Sequence, residues 1–224
     1  MWRDAALVAG RDLRLELRSR VGLNQVAPFA LLVLVLFAFA LDTEGDVLRR
    51  AAPGLFWVAV VLSALLAIQR SAGLDAPDGV RDALRLSGLD PAGIFLGKVA
   101  AVAVQLAALE VLLGAGVVVL YDVDLAGLGT IVPVAIAATV GVAAAGTLYG
   151  VLAAGIRVRE TLLPLLLLPV VAPVLIAATR ASEAALEGVT PDVAPADWLR
   201  LLVVFAVIYV AFGVAAYGPL LEEA

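Results

Sequence analysis

Residues 93–120 read GIFLGKVAAVAVQLAALEVLLGAGVVVL, and Lys98 and Glu110 are the only ionisable side chains among them. An α-helix rises 1.5 Å per residue, so a bilayer core of roughly 30 Å is crossed by about 20 residues. Hydrocarbon offers no partner to backbone N–H and C=O groups, which leaves a helix or a closed barrel as the only spanning structures. The period-two alternation of a barrel strand is absent, so this stretch predicts a transmembrane helix. The same ruler finds five further runs at 24–41, 53–71, 130–155, 161–180 and 198–219. The expected fold is therefore an all-α integral membrane protein with six transmembrane helices, forming one domain over residues 1–224.

Composition agrees. Hydrophobic residues make up 63% of the 224 and charged ones 16%, with a mean hydropathy of +1.08. Soluble domains are nearer half apolar, so lipid is the expected solvent. The net charge of −5 argues against nucleic acid as a partner. Cysteine and histidine are both absent. That excludes disulfides, thiolate metal sites and Cys nucleophiles, and it removes the commonest metal ligand and general base. An intramembrane enzyme would lack its reacting groups. Residues 1–22 are charged throughout and precede a long apolar run, which does not fit a cleavable signal peptide.

Residues 2–21 predict an amphipathic helix. Trp2, Ala5, Ala6, Ala9, Leu13 and Leu17 recur at spacings of three and four, while Arg11, Arg14 and Arg18 share another face. Glu16 and Arg20 are four apart and able to pair. Such a helix suits the membrane interface, its basic residues toward anionic headgroups; a solvated leader is the plainer alternative. With the N-terminus inside, eleven of the fifteen Lys and Arg residues fall on inner segments, and the outer segments hold Arg49, Arg50, Arg180 and Arg200. The bias predicts both termini in the cytoplasm, in keeping with an even number of spans.

The inner connection at 75–90 is the longest polar segment on that side after the N-terminus. Residues 80–87 predict a short helix, stopped by Gly88 with Pro91 beyond. Val80, Leu84 and Leu86 give it an apolar side, and Arg81, Asp82 and Arg85 a charged one. Docking against a soluble partner is one reading, and an ordinary charged connector the other. The outer loop at 181–197 is acidic, with Glu183, Glu187, Asp192 and Asp197, and Trp198 follows at the expected membrane boundary.

Gly93-Ile-Phe-Leu-Gly97-Lys98 is one residue too short for a phosphate-binding loop, has Val99 where Ser or Thr would hold magnesium, and opens a span instead of following a strand. With no ATP site here, any ATP-driven work needs a separate subunit. Glu110 is the acid well inside a span, so it should face protein or water, either as a pathway group or as a hydrogen-bonded packing residue. Gln105 stands about 140° away around the helix and is no obvious partner. Pro164, Pro169 and Pro173 interrupt one run; Pro164 falls near the first turn, while Pro169 and Pro173 should bend the fifth span and make it a candidate moving part. Gly146 and Gly150 form a small-x-x-x-small pair that permits close helix contact.

Four segments in order resemble the cytochrome c maturation protein B (CcmB, haem exporter protein B) family. These are Arg11-Asp-Leu-Arg-Leu-Glu-Leu-Arg-Ser-Arg20; Pro53-Gly-Leu-Phe-Trp-Val58 with Arg70-Ser71; Asp78-Gly79 through Leu84, Leu86 and Pro91 to Gly97-Lys98; and Arg159-Glu160 with Pro164, Pro169 and Pro173. Ala72-Gly-Leu-Asp-Ala-Pro77 departs from the family, whose loop often carries Arg and Glu pairs there. The resemblance implies an ABC-2 permease (type V exporter-like) with an N-terminal interface helix and a coupling helix in the first inner loop, placing ATPase contacts at Asp78, Gly79, Val80, Arg81, Asp82, Leu84, Arg85 and Leu86. It also implies a CcmA-like ATPase carrying ATP–Mg, CcmC-like and CcmD-like membrane neighbours, the haem chaperone CcmE and an inner-membrane location. A six-span ABC permease further needs a second permease copy or a relative. Because His and Cys are absent, haem in such a complex is expected to be ligated by another subunit, with no cofactor bound by this chain. An ABC-2 exporter of a lipid, drug or polysaccharide, and a secondary transporter, are the rival readings.

Overall fold

The computed structural model describes residues 1–19, 25–41, 45–74, 86–123, 127–154, 159–187 and 194–223. It contains seven long helices: α1 (Trp2–Ser19), α2 (Ala27–Ala40), α3 (Gly45–Leu74), α4 (Pro91–Tyr121), α5 (Leu128–Ala154), α6 (Arg159–Glu187) and α7 (Pro195–Glu223). Five of them, α3 to α7, are long and apolar enough to cross a membrane. They extend the expected runs by several residues, since a helix need not end where its apolar stretch does.

The first expected span is shorter than the sequence predicts. α2 has 14 residues, about 21 Å of helix, which falls short of a hydrocarbon core by itself. Pro28 falls in its first turn, and Gln25 and Val26 lead into it in a wider helical turn. It is nonetheless built into the bundle, packing on α3 and α4. Ala30 and Leu34 are completely buried, and the Tyr121 hydroxyl donates to the Leu34 carbonyl at 2.8 Å. Phe29, Leu32, Leu36 and Phe39 form an exposed apolar face.

α5 is the central helix and touches α3, α4, α6 and α7. Gly141 to Leu148 are all buried. Small residues make this possible: Gly146 receives Ile68 of α3, Gly150 lies against Ala72, and Gly141 faces Phe205 of α7. The expected Gly146/Gly150 pair is thus a seat for α3. Gly213 of α7 makes room for the Phe95 ring of α4, which also packs 5.5 Å from the Tyr217 ring.

Helix ends follow their chemistry. Asp90 caps α4 by accepting from the Ala92 N–H at 3.0 Å, with Pro91 in the first turn. Gly88 takes φ +68°, the left-handed conformation of a helix stop. α6 runs without a break through Pro164, Pro169 and Pro173. It begins at Arg159, so Pro164 is beyond the first turn, contrary to the reading from sequence. Pro169 and Pro173 both lie on the exposed side of α6, where the carbonyls they free are not wedged into the core.

Two glycines test this packing. Gly213→Ala should overfill the Phe95 seat and destabilise the protein by about 1–3 kcal/mol. A Cβ at Gly114 meets nothing within 4 Å, so Gly114→Ala should stay within about 0.5 kcal/mol of the parent. Denaturant unfolding of the detergent-solubilised chain measures both.

Candidate functional site

Asp4, Asp12 and Glu16 stand at multiples of four residues along α1, which spreads them over about 120° of the helix surface. That side points into the bundle. Between the acids, Ala5 and Val8 are buried against α4. A Cβ on Gly97 would stand 2.6 Å from the Ala5 carbonyl oxygen, and one on Gly93 2.8 Å from the Met1 carbonyl oxygen. Only glycine allows α1 to lie this close. The Gly93–Gly97–Lys98 pattern is therefore a helix seat.

Each acid has a partner in the bundle. Asp12 is 1% exposed and accepts from Lys98 Nζ at 3.3 Å and from Arg11 Nε at 2.9 Å. Lys98 is itself only 3% exposed. Glu16 accepts from Arg70 Nε of α3 at 3.1 Å, and a second guanidinium nitrogen of Arg70 donates to Ser19 at 3.0 Å. Asp4 accepts from the Asp90 backbone N–H at 3.3 Å. Breaking one partner of a buried pair costs more than the pair itself gains, because a buried charge is then left uncompensated. Together these contacts fix α1 to the starts of α4 and the end of α3.

The faces of α1 divide as follows. Trp2 and Leu17, assigned to the apolar stripe, are 74% and 76% exposed. The buried positions are Ala5, Val8 and Asp12. Arg14 and Arg18 are exposed and Arg11 half-buried, with Arg14 Nε donating to the Gly10 carbonyl at 2.8 Å. Glu16 reaches Arg70; Arg20, its expected partner, lies outside the described residues. The exposed side of α1 thus mixes arginines with Trp2, Leu7, Leu15 and Leu17.

Beside this joint lies a cavity of about 500 Å³ between α2, α3, α5 and α6. Phe29, Leu66 and Leu163 line its apolar part, and Gln25, Gln69 and Arg70 supply polar groups. Arg70 therefore belongs to both the joint and the cavity wall. Of the expected coupling residues, Asp78, Gly79, Val80, Arg81, Asp82, Leu84 and Arg85 lie outside the described residues. Leu86 is helical and 86% exposed.

Glu110 finds a partner that the sequence did not reveal. It is half-buried on α4 and accepts a hydrogen bond from the Thr139 hydroxyl of α5. At the opposite end of the bundle, buried Trp57 donates from Nε1 to Ser182 Oγ at 3.0 Å, and Arg49 pairs with Asp122 at 3.1 Å. No group of three or more metal-ligating side chains occurs among the described residues.

Five long apolar helices around a small-residue centre, with a charged joint at one end, define a multi-pass helical membrane protein. The chain belongs to the CcmB family, whose description, CcmB protein, matches residues 4–220. It is similar to heme exporter protein B of Paracoccus denitrificans, at 32% identity over 190 residues covering 81% of this chain and 83% of the relative. The protein of the same name from Rhodobacter capsulatus is 29% identical over 216 residues, covering 92% and 94% of the two chains. That of Pseudomonas aeruginosa is 28% identical over 211 residues, covering 94% of each.

The Thr139 contact makes a distinction between the two roles of Glu110 measurable. Glu110→Gln keeps an acceptor for Thr139 and should stay within about 1 kcal/mol of the parent in unfolding. Thr139→Val leaves the carboxyl group without this donor and should cost about 1–3 kcal/mol.

Proposed function

We propose that this chain is the permease subunit of an ABC-type haem exporter complex in cytochrome c maturation. The observation that carries the reading is the CcmB match, which runs over residues 4–220. Relatives at about this similarity bear the name heme exporter protein B. The chain is a non-catalytic, single permease domain in the bacterial inner membrane. ATP–Mg is bound and hydrolysed by a CcmA-like partner.

In this reading α2 supplies a sixth crossing. Both termini are cytoplasmic, in keeping with eleven of fifteen basic residues on that side. The exposed face of α1, with Trp2, Leu17, Arg14 and Arg18, suits the headgroup layer of an anionic bilayer.

The 75–90 connection receives the ATPase. Leu86 supports this role, because a leucine 86% exposed gains by being covered. Motion enters α3 and α4, which flank the connection, and passes to the proline-bearing α6. The opposite face then changes its grip on partners such as CcmC-like and CcmD-like proteins or the haem chaperone CcmE. Haem iron is ligated by another subunit, since this chain offers neither His nor Cys. A second permease copy or relative completes the transporter.

Purification of the tagged chain in mild detergent, followed by mass spectrometry, should recover an ATPase together with CcmC-like and CcmD-like proteins. Recovery of an ATPase alone would leave an ABC permease of other cargo, and no ATPase after crosslinking would sink the reading. Leu86→Asp and Leu84→Asp should each cut ATPase recovery about tenfold or more, the size of one lost interface anchor. Membrane insertion should be unchanged, as judged by chain recovered in the membrane fraction.

A further inference from the structure

We infer that Asp12 and Lys98 are a positioning pair that makes α1 and the start of α4 one rigid arm, so that a push on the 75–90 connection moves both helices together. The inference rests on the permease reading above. Its physical basis is the burial of the pair. Asp12 is 1% exposed and Lys98 3%, and these residues, 86 apart in sequence, lie 3.3 Å apart across two helices. Two charges hidden this completely are a weak source of net stability, since desolvation offsets most of their attraction. What they fix well is register, because sliding α1 along α4 parts Lys98 from Asp12 and leaves Asp12 with Arg11 of its own helix in place of the contact to α4.

The surroundings point the same way. Gly93 and Gly97 bring the two backbones so close that a Cβ would clash, so α1 and α4 meet at one depth of approach. Asp90, the cap of α4, is held from α1 through its N–H to Asp4. Asp90 is also where the 75–90 connection ends. A displacement of that connection thus reaches α4 at its first turn, next to the contact with α1. Glu16 and Arg70 then tie the other end of α1 to α3, the helix that enters the same connection. α1 bridges the two helices on either side of the connection.

The test uses the absence of native cysteine. Spin labels on Leu7→Cys in α1 and Ala100→Cys in α4, both exposed, report the distance between the helices in the full chain within its complex. The parent should give one narrow distance with or without ATP. The apolar pair Asp12→Leu/Lys98→Met removes the two buried charges together and leaves Arg11 half-exposed to solvent; it should insert and melt like the parent, as paired apolar replacements often do. Its distance distribution should nonetheless broaden. ATPase turnover of the complex should stay within about twofold while the yield of c-type cytochrome falls about tenfold, inside the usual range of coupling between sites. Asp12→Asn, which keeps the shape and loses the charge, should broaden the distribution as well.

A narrow distribution with normal yield in both variants would overturn the inference, and so would broadening without a loss of yield. Failed insertion of both variants would reduce the pair to a folding contact and overturn it too. If the parent chain recovers no ATPase, the permease reading fails, whereas the distance measurement still decides whether the pair holds the two helices in register.

Discussion

Polar groups cannot be left unpaired in a solvent that offers no hydrogen bonds, and this constraint governs the molecule at every level. It makes each spanning segment a helix. It also disposes of the side chains. Ser63, Thr147 and Ser182 each donate to the carbonyl four residues back, at 2.7, 2.8 and 2.8 Å. Trp57 and Tyr121 reach across to other helices, and Thr139 reaches Glu110. Among the described residues, no buried side-chain nitrogen or oxygen lacks a hydrogen-bond partner.

Once polar groups are paired, close packing becomes the main force that holds helices together, since lipid tails are as apolar as leucine. This explains the glycine and alanine content of α5. A helix surrounded by four others must be thin, and Ala143, Ala144 and Ala145 are completely buried beside Gly141 and Gly146. Large apolar side chains fill both places: Trp57, Phe95 and Ile68 are buried between helices, while Phe39, Leu165 and Phe212 lie on the outer faces. The outer faces can be apolar as well because the outer solvent is lipid.

The two ends of the bundle are held in different ways. At one end a tryptophan–serine hydrogen bond and a surface ion pair join α3 to α6 and α4. At the other, three acids of α1 engage α3 and α4, next to a cavity that shares Arg70. Charged, registered contacts resist sliding, whereas α6, with prolines on its exposed side, has a hydrogen-bond ladder interrupted at those positions.

Periodicity and hydropathy alone placed α3 to α7, the N-terminal helix and the stop at Gly88, because those signals are local. The four segments that resemble the CcmB family were equally legible, since they need only order along the chain. The sequence also held clues that went unread. Lys98 is a cation inside an apolar run and needs an acid, and Asp4, Asp12 and Glu16 stand on one side of a helix that could supply it. The choice among those acids, the face of α1 that meets the bundle and the pairing of Glu110 with Thr139 were decided only by tertiary structure. Each depends on which helix lies next to which, and lipid-soluble helices with similar apolar surfaces carry little information about their neighbours until glycine seats and paired charges select them.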